Sequence, residues 1–188
     1  MDKFNANKSV NTTRLEKLFL ESGTLKTFRK NEYMVRQNGK TNHIGFVTSG
    51  IFRLTRINMS GNEWIAGYSF ENDFVCDYPS LINRTDATVS IQATTDCEVY
   101  LLPLSELNQF WETDMETQRL GRRIAETMFA EIYQRLLGFY CNTPEQRYRA
   151  LMKRCPNLQE LLSLKEIALF LGVTPETLSR IRKKQQKK

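Results

Sequence analysis

A short stretch near the end of the chain carries side chains that could read DNA base pairs. The guanidinium of Arg180 can donate two parallel hydrogen bonds to guanine O6 and N7, and the carboxylate of Glu176 can accept one from cytosine N4. Around them stand hydroxyl and cationic side chains suited to phosphate or backbone contacts, namely Thr174, Thr177, Ser179, Arg182, Lys183 and Lys184. Thr174 could equally cap a helix, and Glu176 could stabilise its first turn.

The surrounding pattern predicts two short helices joined by a tight turn. Ser163 and Glu166 have the spacing of a capping box, and Gly172 stands where the chain needs a positive φ. Thr174 is a suitable cap for a second helix, with Pro175 at its first position. Apolar residues recur at helical spacing in both halves: Leu164, Ile167, Ala168, Leu171, Leu178 and Ile181. Together these features predict a helix-turn-helix, although a plain helical hairpin has a similar pattern.

The charge distribution favours the nucleic-acid interpretation. The formal net charge is +6, and residues 180–188 hold six basic side chains and no acidic one. In residues 1–179 the remaining 21 basic side chains are balanced by 21 acidic ones. The positive charge is therefore local to the second helix and the tail after it, as expected for phosphate neutralisation.

Length and hydropathy predict a protein with one main domain and a smaller one. The chain has 188 residues, of which 40% are hydrophobic. No run reaches the roughly 18 apolar residues of a membrane span, and Met1–Thr13 is polar, unlike a signal peptide. We therefore expect a cytoplasmic protein without a membrane partner.

The cysteines and the histidine do not indicate a metal or cofactor site. The four cysteines, Cys76, Cys97, Cys141 and Cys155, form no CxxC pair, and His43 is the single histidine. Zinc sites and iron–sulfur clusters need several such ligands brought together. We expect reduced core thiols, no metal and no cofactor.

Residues 25–102 have the pattern of an antiparallel β-barrel or jelly roll. Short β-rich runs are separated by four turn signals: Asn38-Gly39, Ser49-Gly50, Ser60-Gly61-Asn62 and Asn72-Asp73. Val89, Ile91 and Ala93 alternate with polar residues, which predicts one buried face. Cupin enzymes share such barrels but bind metal through several histidines, so one histidine argues against that chemistry. We expect no enzymatic activity.

A long helix is predicted to follow the barrel, over residues 105–141, with Ser105 as its cap. A four-three spacing within it is typical of the seam between two helices, and the seam consists of Ala125, Phe129, Ile132, Leu136 and Phe139. Further apolar residues widen this face, so we expect the helix to pack on the barrel and on a second copy of itself. The alternative is a helix that covers only its own domain.

The order of these parts resembles the Crp/Fnr family (cyclic-AMP receptor protein and fumarate–nitrate regulator) of bacterial transcription regulators. The resembling pieces are Gly45–Gly50, Asn72–Val75, Thr95–Val99 and, closest to the family signature, Glu166–Ile181. The resemblance implies an α+β protein with three parts. These are an N-terminal segment with a double-stranded β-helix barrel like a cyclic-nucleotide-binding domain (1–104), a dimerisation helix (105–141) and a helix-turn-helix domain (142–188).

The resemblance also locates a ligand pocket. Family members that bind a cyclic nucleotide carry Gly-Glu and, about ten residues later, Arg-Ser. Cys76-Asp77 and Ala87-Thr88 stand at these positions here. Asp77 could accept a ribose hydroxyl, but Ala87 cannot compensate a buried phosphate, and Arg84 is three residues early. We therefore expect no cyclic-AMP binding, which leaves an unidentified small-molecule effector, no effector, or a redox or gas sensor.

The implied partners are double-stranded DNA, a second copy of the chain and, for an activator, RNA polymerase. Because only a few residues follow the second helix, we expect either no family-type β-hairpin wing or a basic tail in its place. A function of a different class stays open: a barrel-type sensor or interaction module whose helical C-terminus binds a protein.

Overall fold

The computed structural model describes residues 10–186, with eight strands and eight helices in that part of the chain. The strands are β1 (Thr24–Phe28), β2 (Tyr33–Val35), β3 (His43–Ser49), β4 (Phe52–Ile57), β5 (Glu63–Ser69), β6 (Phe74–Val75), β7 (Ser90–Ala93) and β8 (Cys97–Pro103). The helices are α1 (Thr13–Ser22), α2 (Tyr78–Asn83), α3 (Leu104–Glu112), α4 (Met115–Cys141), α5 (Pro144–Arg154), α6 (Leu158–Leu161), α7 (Leu164–Leu171) and α8 (Pro175–Gln186).

The strands form two four-stranded antiparallel sheets, in the orders β1-β8-β3-β6 and β2-β7-β4-β5. This is the predicted jelly roll. The alternating residues Ile91 and Ala93 are buried inside it together with Phe52, Val75 and Val99. The four predicted turns lie between strands, as expected. In each of them one residue adopts the positive φ that lets the chain reverse: Asn38 (65°), Gly50 (89°), Gly61 (79°) and Asn72 (63°).

The outer face of the second sheet is covered as well. Ile65 and Tyr68 of β5 share one buried cluster with Phe170 of α7 and Leu178 of α8. The polar residue Gln92 of β7, which hydrogen-bonds Arg53 of β4, is also buried, at 6% exposure. Strand alternation predicts one buried face, and the helical C-terminal part supplies the second.

The predicted single helix over residues 105–141 is wrong, because the structure has two helices there. Pro103 precedes α3, so Ser105 is not its cap, and α4 starts after Asp114. The carboxylate of Asp114 accepts a hydrogen bond from the Thr117 backbone N–H at 2.8 Å, and the Thr117 hydroxyl accepts one from the Asp114 N–H at 3.3 Å. This capping box satisfies donors at the start of a new helix, which separates α4 from α3.

Arg14 of α1 forms an ion pair with Asp114 at this break between α3 and α4. Its Nη2 atom lies 2.6 Å from Asp114 Oδ2, on the surface of the molecule. The hydrogen bond from Arg14, followed by that from the Thr117 backbone, lowers the pKa of Asp114 from 3.8 to about 2. The start of α4 is therefore tied to the N-terminal helix.

None of the helices in residues 10–186 is both long enough and apolar enough to cross a membrane. Of the four thiols expected in the core, those of Cys97 and Cys155 are buried and that of Cys76 is half-buried. Cys141 contradicts the expectation, because it is exposed at the end of α4.

Candidate nucleic-acid interface and ligand pocket

Helices α7 and α8 form the predicted helix-turn-helix. The Ser163 hydroxyl accepts a hydrogen bond from the Glu166 backbone N–H at 3.2 Å, and the Glu166 carboxylate accepts one from the Ser163 N–H at 3.0 Å. Gly172 ends α7 in the left-handed conformation, with φ at 67°. A β-carbon at Gly172 would stand 3.1 Å from the ring of Phe139 and 3.8 Å from that of Trp64. The positive φ therefore favours glycine at this turn, and any side chain there would also press against Phe139.

Helix α8 separates its apolar and charged residues between two faces. Leu178 and Ile181 are buried against α7 and α5, at 0% and 9% exposure. Glu176, Arg180 and Lys183 are exposed on the opposite side. The residues predicted to read base edges therefore face solvent, and the apolar stripe holds the helix in place.

The N-terminal turn of α8 is ordered by a small hydrogen-bond network. Thr174 Oγ1 accepts from the Thr177 N–H at 3.2 Å, which makes Thr174 the helix cap. Arg180 Nη2 donates to Thr177 Oγ1 at 3.3 Å, so the guanidinium lies along the helix surface. The pKa of Glu176 is lowered, mainly by its own backbone N–H and then by the Thr174 hydroxyl. Glu176 is therefore charged and interacts electrostatically with Arg180, which Thr177 holds in place. Ser179, the residue before Arg180, is half-buried.

Two of the basic side chains predicted to contact DNA phosphates form hydrogen bonds within the protein. Arg182 Nη2 donates to Gln159 Oε1 at 2.6 Å, and Arg182 is half-buried. Lys184 Nζ lies 3.1 Å from Glu145 Oε2, and this hydrogen bond is the main reason why the pKa of Glu145 is lowered. Both interactions fix the C-terminal half of α8 to α5 and α6. Lys187 and Lys188, the end of the predicted basic tail, lie outside the described residues.

Helix α4 exposes the predicted seam. Its five residues are exposed: Ala125, Phe129, Ile132, Leu136 and Phe139. Phe129 is 70% and Ile132 64% exposed, although both are large apolar side chains. On another side of α4, Leu120 and Ile124 pack against the core shared by α1 and the barrel. The helix therefore has one apolar side on its own domain and a second facing solvent.

The predicted pocket residues come together at α2. Asp77 is 5% exposed, and its Oδ2 accepts hydrogen bonds from the Thr88 N–H at 2.6 Å, the Thr88 hydroxyl at 2.9 Å and the Ser80 hydroxyl at 2.7 Å. Asp77 and Thr88 are thus brought together as the sequence alignment predicts. One carboxylate oxygen is already engaged by protein donors.

The remaining pocket residues supply no buried cation. Ala87 is buried at 1% exposure. Arg84 is the single basic residue between Cys76 and Thr88, and it is exposed at the left-handed end of α2, with φ at 54°. Cys76 is half-buried, and desolvation raises the pKa of its thiol to about 12, so it is protonated at neutral pH. Within residues 10–186, His, Cys, Asp and Glu side chains form no group of three that could hold a metal ion.

Two arginines that connect the barrel to the helices are not predicted by any sequence pattern. Arg53 of β4 hydrogen-bonds Gln92 and lies 4.0 Å from Glu166 of the α7 capping box. Arg135 of α4 donates to the Ala66 carbonyl of β5. No local spacing marks either arginine, because their partners are far away in sequence.

The barrel matches a known domain family. Residues 25–114 match the family model described as the cyclic nucleotide-binding domain. A protein from Rhizobium leguminosarum bv. viciae named "Probable transcriptional activator" is 26% identical over 166 residues. That match covers 78% of this chain and 64% of the relative, so the chain spans less than two thirds of the relative's length.

Several solved structures share the fold over most of the chain. FixK2 from Bradyrhizobium japonicum has a TM-score of 0.74 at 18% identity, covering 88% of this chain and 85% of its own. A mutant of CooA from Carboxydothermus hydrogenoformans has a TM-score of 0.71 at 16% identity, covering 100% and 85%. A structure from Eubacterium rectale described as a regulator of the Crp/Fnr family has a TM-score of 0.67 at 18% identity, covering 97% and 87%. Residues 25–114 therefore match the cyclic nucleotide-binding domain, and the chain as a whole has the Crp/Fnr-like fold that its sequence motifs indicated.

Proposed function

We propose that the protein is a sequence-specific DNA-binding transcription regulator of the Crp/Fnr type that acts as a homodimer on an inverted repeat. The observation that carries this proposal is the solvent-facing side of α8. There Glu176, Arg180 and Lys183 are exposed while Leu178 and Ile181 are buried in the domain. A helix that presents polar and basic side chains beyond a tight turn has the form needed to enter a major groove.

In this proposal α8 enters the groove with its N-terminal residues foremost. Arg180 donates to guanine O6 and N7, and Glu176 accepts from cytosine N4. Thr174, Thr177 and Ser179 contact phosphate or sugar, and Lys183 neutralises phosphates without reading sequence. Arg182 and Lys184 add to the positive potential, but their bonds to Gln159 and Glu145 must loosen before they can contact phosphate directly.

The exposed side of α4 supports the homodimer. Isolated apolar residues on a surface are ordinary, but a continuous row on one helix is typical of an interface. Phe129, Ile132 and Leu136 keep the four-three spacing of a two-helix seam and are 70%, 64% and 47% exposed. A homodimer paired along this row would present two α8 helices to the DNA. We expect the two half-sites that they bind to lie about 34 Å apart.

The pocket geometry argues against cyclic AMP as the effector. A buried phosphate needs a cation or several donors, and the position aligned with the family arginine is the buried Ala87. Asp77 Oδ2, the candidate ribose ligand, is engaged by Ser80 and Thr88. The barrel therefore either responds to a different small molecule or has a structural role.

Selection of bound DNA from a random pool tests the proposal directly. The wild type should enrich one inverted repeat, with nanomolar-scale affinity that falls steeply as salt rises. Arg180→Ala should lose the guanine preference at one position of each half-site, at a cost of about 1–3 kcal/mol. Lys153→Ala, which removes an exposed cation of α5, is the matched control and should keep the preference. Weak, salt-insensitive binding without sequence preference would favour a protein-binding module instead.

A further inference from the structure

A row of paired residues crosses the outer face of the second sheet. Tyr33 of β2 pairs with Gln92 of β7, Gln92 pairs with Arg53 of β4, and Arg53 pairs with Tyr68 of β5. Directly paired residues on adjacent strands project to the same side of a sheet, so these four side chains form one line. The line runs across all four strands and ends beneath the helix-turn-helix.

Buried hydrogen bonds join the middle of this row. Gln92 Oε1 accepts from Arg53 Nε at 3.0 Å and from Arg53 Nη2 at 2.7 Å. Gln92 Nε2 donates to the Asn31 backbone carbonyl at 2.9 Å. Because Gln92 is only 6% exposed, a change at either end cannot be compensated freely by water. The amide therefore links the loop before β2 to Arg53.

One end of the row contacts the helix-turn-helix. Arg53 Nη1 lies 4.0 Å from Glu166 Oε1, while Glu166 also caps α7 through Ser163. The Tyr68 ring centre lies 5.9 Å from that of Phe170 in α7. Movement of Arg53 would thus act on the first turn of α7.

The other end of the row borders a groove of about 790 Å³ between the edge strands of the two sheets. Its lining includes the cations Lys26 and Arg36, with Arg36 lying 3.8 Å above the Tyr33 ring. Within residues 10–186, no carboxylate forms an ion pair with Lys26 or Arg36. Glu32, the acidic residue of the lining, accepts a hydrogen bond from the Arg29 N–H at 2.8 Å.

We propose that this groove is an effector site for a small organic anion carrying phosphate or carboxylate groups, and that the Asn31–Gln92–Arg53–Glu166 chain couples it to α7. Lys26 and Arg36 supply the charge that such an anion needs, since both are free to form charge-assisted hydrogen bonds. The ligand would contact the segment of residues 31–36, which is bonded to β7, and thereby restrain Gln92 and Arg53. This site is separate from the Asp77 pocket and does not require the proposed DNA-binding function.

Titration calorimetry with inorganic pyrophosphate and, separately, with citrate tests the site and distinguishes phosphate from carboxylate ligands. At least one anion should bind the wild type saturably with a Kd below about 1 mM. Lys26→Gln combined with Arg36→Gln should weaken this binding about tenfold or more. Lys17→Gln combined with Arg122→Gln removes the same charge from α1 and α4 and should leave it nearly unchanged. No saturable binding, or equal losses in both double variants, would overturn the proposal.

Hydrogen exchange of the α7 amides tests the coupling without DNA. The anion should slow exchange of residues 164–171 in the wild type. Arg53→Lys keeps the charge but loses the fork onto Gln92, so it should still bind the anion without slowing α7. If this variant does not fold, Gln92→Glu, which cannot donate to the Asn31 carbonyl, takes its place. Anion binding that leaves α7 exchange unchanged in the wild type, or slows it equally in the folded variant, would refute the coupling.

Discussion

The guanidinium carbon of Arg135 in α4 lies 4.1 Å from the centre of the Phe170 ring in α7. The same arginine donates to the Ala66 carbonyl of β5. Arg135, a residue of the predicted dimer helix, therefore contacts both the barrel and the helix-turn-helix. This junction packs the three parts of the chain against one another.

Truncating Phe170 should destabilise the packing of the helix-turn-helix on the barrel. Phe170 is 8% exposed and belongs to the cluster shared by both parts. Phe170→Ala should lower the free energy of unfolding by about 3–5 kcal/mol. Met59→Ala, at a fully exposed apolar residue of the β4–β5 turn, should change it by less than about 0.5 kcal/mol. Urea denaturation followed by circular dichroism compares them, and equal effects would contradict the interface.

Charges on the exposed seam should prevent dimer formation. Phe129→Glu combined with Ile132→Glu places two carboxylates where each would meet its copy in a paired helix. Sedimentation should show a dimer for the wild type at micromolar concentration and a monomer for this variant. Gln134→Glu adds a carboxylate at another exposed position of α4 and should remain dimeric. A wild-type monomer would refute the predicted seam.

Removing the Asp77 carboxylate should destabilise the barrel, because this carboxylate accepts hydrogen bonds from Ser80 and Thr88. Asp77→Ala leaves the buried Ser80 hydroxyl without its acceptor and the Thr88 N–H with only its longer bond to Ser80 Oγ, at 3.3 Å. The expected loss is about 1–3 kcal/mol in the free energy of unfolding. Asp86→Ala, an exposed position paired with Lys40, is the matched control and should be nearly neutral. Comparable losses in both variants would contradict a structural role for Asp77.

Cyclic AMP and cyclic GMP should not bind the barrel saturably, because the buried Ala87 stands where a phosphate would need a cation. Calorimetric titration of the wild type tests this expectation. Clear saturable binding of either nucleotide would show that our interpretation of the pocket is wrong.

The Arg14–Asp114 pair should make part of the stability depend on pH in the acid range. In the folded protein the pKa of the Asp114 carboxyl is about 2, below its ordinary value of 3.8, so folding favours the charged carboxylate. Its stabilising contribution is therefore complete above about pH 3.8 and is lost as the pH falls through about 2. Asp114→Asn keeps an N-cap but loses the ion pair, so the stability difference from wild type should shrink over this range in thermal unfolding. A difference independent of pH would contradict the assignment.

The parts of the fold whose signals are local can be predicted from the sequence. The turns at Asn38 and Asn72 and the Ser163 capping box are confirmed, because neighbours in sequence decide them, whereas the pairing of the seam around Phe129 stays a prediction. The break at Asp114 was missed, although its capping box is local, because the apolar pattern runs on through it. The interactions of Arg53 and Arg135 could not be predicted, since each depends on partners brought near by the whole fold.

The glycine at the turn of the helix-turn-helix restricts how this protein can diversify. A side chain at Gly172 would press against Phe139, a residue of the predicted α4 seam, and would also strain the left-handed backbone. A change at this turn therefore also displaces Phe139 on α4. In the proposed homodimer, exposed side chains of α8 could alter the DNA preference by themselves, whereas the turn that orients α8 would have to change together with the α4 seam.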